Sequence, residues 1–172
     1  MKKVFILFLL FFAIYCNSSL NYSKTINYNE DTAVNLFAFI GKKLSVKTCD
    51  RPLTKKTVNS KGDTVITDIG YFDACYIAEY EVKDLVFNNL KKDTVVFEAY
   101  NHMGNPFFDK SDYCLLYLSK YTDKNEYYLQ KYMYDHVKRN KDSLWVGVNG
   151  KSVNSLFNKK KNGYLKARGV FK

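Results

Sequence analysis

Residues 74–82 alternate between side chains that suit a protein core and side chains that suit water. Tyr76 and Tyr80 fall on one face of this segment, and Glu79 and Glu81 fall on the other. Successive side chains of a β-strand point to opposite faces of the sheet. The period of two therefore predicts a strand with one buried face and one wet face.

Further segments of this kind are separated by turn-forming residues. Residues 36–48 begin wholly apolar and then alternate, and Gly41 within them predicts a bulge or a sharp bend. Residues 93–100 predict another strand, and the apolar residues 112–119 predict one that is buried on both faces. Short strands separated by turns over one domain are typical of a barrel or a sandwich.

Three other regions are less regular. The polar residues 49–60 contain Pro52 and predict a loop. Residues 64–67, after a turn, predict either a short strand or an excursion of the chain. Residues 126–138 contain no Pro or Gly and could be helix or strand. Their tyrosines recur at period two, which favours a hairpin with residues 144–148.

The N-terminus predicts export. Lys2 and Lys3 precede residues 4–15, which contain no charge. An apolar run of about a dozen residues has the length of a signal-peptide core, whereas a membrane-spanning helix needs about 20. We therefore expect residues 1–15 to be a signal peptide.

Cys16 follows the apolar run directly and resembles the acylation site of bacterial lipoproteins. The resemblance implies a lipid attached to Cys16, cleavage just before it, and residues 16–31 as a polar tether between membrane and domain. Tyr15 departs from the small residue that this family usually has there. Cleavage after Ser18 or Ser19, which would remove Cys16, stays open.

The positive charge is concentrated at the C-terminus. The net charge is +10, and the segment 149–172 contains no acid but seven bases, which are Lys151, Lys159, Lys160, Lys161, Lys166, Arg168 and Lys172. We interpret this segment as a basic tail, in which Lys159, Lys160 and Lys161 could contact a membrane or a partner. It could also be a solvated extension, or pack on the barrel as a closing strand through its apolar residues. Export argues against nucleic acid as a partner.

Catalytic and metal-binding patterns are missing from the sequence. His102 and His136 are the only histidines, they have no metal-ligand spacing, and no C-x-x-C pair occurs. We expect no catalytic residue, no metal and no cofactor. A nucleophilic pair of Cys75 or Cys114 with either histidine remains the rival, as in a secreted thiol-dependent hydrolase or redox protein. Whether Cys49, Cys75 and Cys114 form a disulfide stays open.

Residues 39–44, 80–95 and 113–118 together resemble the paired strands of netrin-module and metalloproteinase-inhibitor-like domains. The resemblance covers about residues 36–120 and implies an OB-type barrel. Inhibitors of that superfamily begin with a free Cys-x-Cys that chelates the zinc of the target. Cys16 is followed by Asn-Ser, so this activity does not carry over.

Together these patterns predict an all-β, OB-like barrel of short antiparallel strands over residues 32–148, with a C-terminal hairpin and the basic tail. The function that they favour is an exported, membrane-anchored, non-catalytic binding or structural domain of the cell envelope. Its partner would be an envelope protein or an anionic surface.

Overall fold

The computed structural model describes residues 26–102 and 104–172, and most of this part of the chain is strand. Strands make up 48% and helices 13% of the described residues, which confirms the all-β class. The predicted signal peptide and Cys16 lie outside the described residues. The strands are β1 (Phe37–Thr48), β2 (Thr54–Val58), β3 (Thr64–Asp68), β4 (Ala74–Phe87), β5 (Thr94–Asn101), β6 (Tyr113–Lys120), β7 (Tyr127–Arg139) and β8 (Trp145–Gly147).

Five strands form a closed ring. β1 pairs antiparallel with β4 and β6, β4 pairs with β5, and β6 pairs with β7. A short parallel pairing closes the ring, in which Phe97 and Glu98 of β5 lie opposite Tyr127 and Tyr128 of β7. The fold is thus an OB-like barrel, as the sequence predicted.

The bend predicted at Gly41 lies in β1, where the strand must serve two neighbours. The register of β1 with β4 shifts between Ile40 and Gly41. A Cβ atom built on Gly41 would lie 2.9 Å from Cδ1 of Tyr80. Glycine therefore lets β1 approach β4 more closely than a residue with a side chain could.

The core has an inner and an outer layer. The inner layer fills the barrel, with Tyr80, Phe97 and Leu116 among its members. The outer layer lies between β1 and β6 on one side and the C-terminal segment on the other. Both faces of β6 are buried, since Leu115 and Tyr117 belong to the outer layer and Leu116 to the inner one. The prediction for this strand is confirmed.

The C-terminal segment forms helices and completes the outer layer. Helix α1 (Val153–Lys160) is followed by a π-helical turn (Lys161–Leu165). Val153, Leu156 and Phe157 of α1 are buried, at the spacing that places them on one helical face. Residues 149–172 therefore pack on the barrel as a helix, where the sequence suggested a solvated tail or a strand. In the described part of the chain, every helix is too short or too polar to span a membrane.

Two further predictions have clear outcomes. Residues 127–138 are strand, and β7 pairs with β8 over three residues, so the C-terminal hairpin is confirmed. The loop predicted at residues 49–60 is wrong in part, because it contains β2, which pairs with all five residues of β3. The turn between them is held by Asn59, whose Oδ1 accepts hydrogen bonds from the backbone N–H groups of Lys61 and Asp63.

Candidate functional site

Residues 49–75 form a protruding arm, which comprises the β2–β3 hairpin and the two segments that connect it to the barrel. A disulfide joins Cys49 to Cys75 at its base, with a Cα–Cα distance of 5.3 Å. The backbone N–H of Cys49 also donates to the carbonyl of Cys75 at 2.9 Å. All ten residues of β2 and β3 are exposed to solvent. The hairpin therefore contributes no buried side chain to the core.

The arm carries several exposed apolar side chains. Leu53, Val58 and Ile66 are 73%, 71% and 61% exposed, and Phe72 is 91% exposed. Single exposed hydrophobic residues are common on protein surfaces, whereas their concentration in one short segment is typical of a binding surface. Sequence reasoning missed this feature, because the segment was taken for a loop.

Polar and cationic contacts fix the base of the arm to the barrel. The guanidinium of Arg51 lies 4.7 Å from the ring centre of Tyr71 and 5.0 Å from that of Tyr100 on β5. The carboxylate of Asp73 accepts a hydrogen bond of 2.6 Å from the Lys131 ammonium on β7. This hydrogen bond lowers the pKa of Asp73. His102 lies beside the same carboxylate, with Nδ1 3.4 Å away.

A hydrogen-bonded cluster centred on Glu98 lies at the parallel seam of the barrel. The carboxylate accepts hydrogen bonds from the hydroxyls of Tyr121 at 2.6 Å and Tyr100 at 2.8 Å, and from Lys124 Nζ at 3.1 Å. Burial alone would raise the pKa of Glu98, but these three donors outweigh it and hold the pKa below its ordinary value. A groove of about 490 Å³ that Glu98 also lines runs beside the cluster.

The structure brings together Cys114 and His136, one of the pairs that the rival hypothesis allowed. The thiol Sγ lies 3.6 Å from Nδ1 of His136. Cys114 is fully buried, and burial raises the pKa of its thiol to about 12. Burial also lowers the pKa of His136. At neutral pH the pair therefore consists of a protonated thiol and a neutral imidazole, whereas nucleophilic catalysis uses an exposed thiolate.

The three lysines proposed as a contact surface lie in different surroundings. Lys159 is exposed and lines a cleft of about 580 Å³ beside α1. Lys160 lies 3.5 Å from the carboxylate of Asp135 and is largely buried. The ammonium of Lys161 lies 5.1 Å from the ring centre of Phe171. Lys159 and Lys160 line this cleft together with Lys151, which sequence reasoning did not single out as a contact residue. A contact of the three predicted lysines with a membrane or a partner stays a prediction.

Comparisons with known proteins add no relative. No family model matches the sequence, and neither a curated protein nor a solved structure matches the chain. The netrin-module resemblance and the lipoprotein resemblance therefore remain predictions. Within residues 26–102 and 104–172, no group of three or more His, Cys, Asp or Glu side chains could hold a metal ion.

Proposed function

We propose that this protein is an exported, membrane-anchored, non-catalytic binding domain of the cell envelope, and that the arm is its binding surface. The observation that carries the proposal is the full exposure of the β2–β3 hairpin, despite the contacts that fix its base. Lipid attachment at Cys16 would provide the anchor, and residues 16–31 the tether.

An isolated two-stranded hairpin is only marginally stable in water, so an exposed hairpin needs further contacts to stay folded. Here the disulfide, the stacked Arg51 and the Asp73–Lys131 ion pair hold the arm in place. These contacts keep apolar side chains such as Ile66 and Phe72 in water. A partner that covers them would recover the hydrophobic free energy of their burial.

The kind of partner follows from the geometry of the hairpin. Within the described residues, β2 and β3 pair only with each other, so each presents one free edge. An extended segment of a partner protein can add to such an edge by main-chain hydrogen bonds, while its side chains contact the exposed apolar residues. We therefore propose an envelope protein that contributes a β-strand.

Two observations support this proposal over a thiol-dependent enzyme. The Cys49–Cys75 disulfide occupies Cys75, which is one of the two thiols that the rival hypothesis allowed as a nucleophile. Cys114, the other cysteine among the described residues, is buried and holds its proton. A thiol in this state is a poor nucleophile.

Anchoring is tested by metabolic labelling with a fatty-acid analogue in cells that express the wild type or Cys16→Ser. The proposal expects label in the wild type and none in the variant. Equal label in both, or no label in either, would exclude lipid attachment at Cys16.

The arm is tested by site-specific photocrosslinking in intact envelopes. A photoreactive residue replaces Ile66 or Phe72 in the arm, or Val148, which is 61% exposed on another part of the barrel. We expect the same protein adduct from both arm positions and not from Val148. Adducts that are identical at all three positions, or missing from the arm, would contradict the proposal.

A further inference from the structure

The cleft beside α1 is a separate feature, independent of the arm. It has a volume of about 580 Å³ and lies where the C-terminal helices meet the end of β7. Three lysines and one acid line it, which are Lys151, Lys159, Lys160 and Asp135.

The acid of the cleft already has its partners. Asp135 accepts a hydrogen bond of 3.2 Å from the Tyr117 hydroxyl and lies 3.5 Å from the ammonium of Lys160. Lys151 and Lys159 are exposed, and neither forms a salt bridge with any described residue. The charge of Lys159 nevertheless acts on Asp135, because with Lys160 it opposes the effect of burial on the pKa of that carboxyl. The cleft therefore holds three ammonium groups against one carboxylate, and this excess of positive charge suits an anion.

The backbone around the cleft is constrained on both sides. On one side, the backbone N–H of Gly147 donates to the carbonyl of Lys151 at 2.8 Å, and Asn149 Oδ1 accepts from the N–H of Lys151 at 3.2 Å. On the other side, the C-terminal helical segment is kinked at Gly163, where the backbone is not helical.

Apolar side chains also line the cleft. They are Leu156, which is buried, Tyr164, which is 64% exposed, and Ala167. A fully hydrated inorganic anion would leave these surfaces uncovered. A ligand with an acidic head and an apolar body would use both halves of the cleft.

We propose that this cleft binds a phosphate monoester that carries an apolar group, with Lys151 and Lys159 on the phosphate and Tyr164 against the apolar body. Ammonium groups bind phosphate by charge-assisted hydrogen bonds, which are stronger than neutral ones. The ester could come from a soluble metabolite or from a lipid headgroup with the same chemistry. This assignment goes beyond the proposed function and does not depend on the arm.

The test uses the purified full-length protein with phenyl phosphate, inorganic phosphate, and vesicles of phosphatidylcholine with or without phosphatidic acid. The variants are Lys151→Gln, Lys159→Gln and Tyr164→Ser, and the control is Lys166→Gln, an exposed lysine of the same segment that does not line the cleft. Binding is measured by titration calorimetry for the soluble probes and by co-sedimentation for the vesicles.

We expect each lysine variant of the cleft to weaken phenyl phosphate binding by about tenfold, as the loss of one charge-assisted hydrogen bond implies. Lys166→Gln should change the affinity for phenyl phosphate by less than about twofold, as expected for a surface charge outside the site. Tyr164→Ser should weaken the binding of phenyl phosphate but not the binding of inorganic phosphate. Binding to phosphatidic acid vesicles alone, with the same dependence on Lys151 and Lys159, would identify a lipid as the source.

Three results would overturn the assignment. One is no binding of phenyl phosphate or of phosphatidic acid vesicles. Another is an equal loss with Lys166→Gln, because a diffuse positive surface would then explain the binding. The third is equal affinity for phenyl phosphate and inorganic phosphate in both the wild type and Tyr164→Ser. That result would mean that the phenyl group makes no favourable contact with the cleft. All four variants change exposed side chains, so their folding can be checked by an unchanged thermal transition.

Discussion

Gly41 and Tyr80 face each other across β1 and β4 at a distance that leaves no room for another carbon atom. A Cβ on Gly41 would lie 2.9 Å from Cδ1 and 3.2 Å from Cβ of Tyr80. Tyr80 is fully buried, and its hydroxyl donates to the carbonyl of Phe108 at 3.4 Å. The close approach of the two strands therefore restricts the position of one of the largest side chains in the inner core.

Gly41→Ala should destabilise the protein by about 1–3 kcal/mol, because the added methyl forces Tyr80 or the backbone of β1 to move. Gly70→Ala is the matched control, since nothing lies within 4 Å of its Cβ position. We expect the free energy of unfolding of the control, measured in urea, to stay within about 0.5 kcal/mol of the wild type. Equal effects of the two substitutions would show that the close approach of Gly41 and Tyr80 does not contribute to stability.

Glu98 should stabilise the parallel seam of the barrel. Only two residue pairs join β5 to β7 there, and the donors on Glu98 include Tyr121 and Lys124 from the β6–β7 connection. Glu98→Gln removes the charge that these donors share and should cost about 1–3 kcal/mol at pH 7. Urea unfolding measures the loss.

The pH dependence of the free energy of unfolding distinguishes this electrostatic contribution of Glu98 from a contribution of side-chain packing. The pKa of Glu98 is lower in the folded protein, so its contribution is present above the pKa of the unfolded chain and is lost as the pH falls through the folded pKa. The gap in stability between wild type and Glu98→Gln should therefore narrow in acid. Glu79→Gln, on the neighbouring strand β4, is the control and should show a much smaller gap. A gap that does not change with pH would exclude the electrostatic explanation.

The sequence predicted the barrel because its strands follow simple burial rules. Residues 74–82 alternate because one face of β4 covers the barrel interior, and residues 113–118 are apolar because the C-terminal helix covers their outer face. The helix itself was missed. Its buried positions Val153, Leu156 and Phe157 are few, and they are followed directly by Asn158 and the lysines, so the charge of residues 149–172 dominated the interpretation.

The candidate sites were harder to predict, since they depend on contacts between distant residues. No core covers the side chains of the arm, so burial imposes no alternation of apolar and polar residues on β2, and its sequence resembles a polar loop. The turn residues Asn59 and Gly62 could nevertheless have indicated a hairpin. Lys151 and Lys159 line one cleft with Asp135 of β7, which lies far from them in the sequence. The charge pattern indicated the region of the cleft but not its geometry.

Cys114 should be almost unreactive in the folded protein. In a Cys16→Ser background with the Cys49–Cys75 disulfide intact, Cys114 is the only free thiol. Because it is buried with a pKa raised to about 12, alkylation by iodoacetamide at pH 8 should be at least about 100-fold slower than after unfolding in urea. A rate within about tenfold of the unfolded protein would restore the thiol as a candidate nucleophile.

The same thiol should make the fold sensitive to alkali. Its pKa is higher in the folded protein than in the unfolded chain, so the folded state keeps the proton more strongly. Stability should be unaffected below about pH 9, the ordinary value for a thiol, and should fall as the pH rises towards about 12. Cys114→Ala should show a smaller loss over that range, measured as the free energy of unfolding against pH.

Asp135 links the stability of the barrel to the charge of the cleft. Burial raises its pKa, although Lys160 and the Tyr117 hydroxyl act in the opposite direction. The folded state therefore holds the proton of Asp135 more tightly than the unfolded chain does. Its stability contribution is largest in acid, below the ordinary pKa of an aspartate, and declines as the pH rises through the folded pKa.

Asp135→Asn mimics the protonated form and keeps an oxygen that can accept the hydrogen bond from Tyr117. The stability of this variant relative to the wild type should therefore increase as the pH rises from about 3.5 to 7, as measured by urea unfolding at each pH. The variant also removes the negative charge of the cleft, so phenyl phosphate should bind it more tightly than the wild type at pH 7. A relative stability that decreases with pH would mean that the ion pair with Lys160 outweighs the cost of burying the carboxylate.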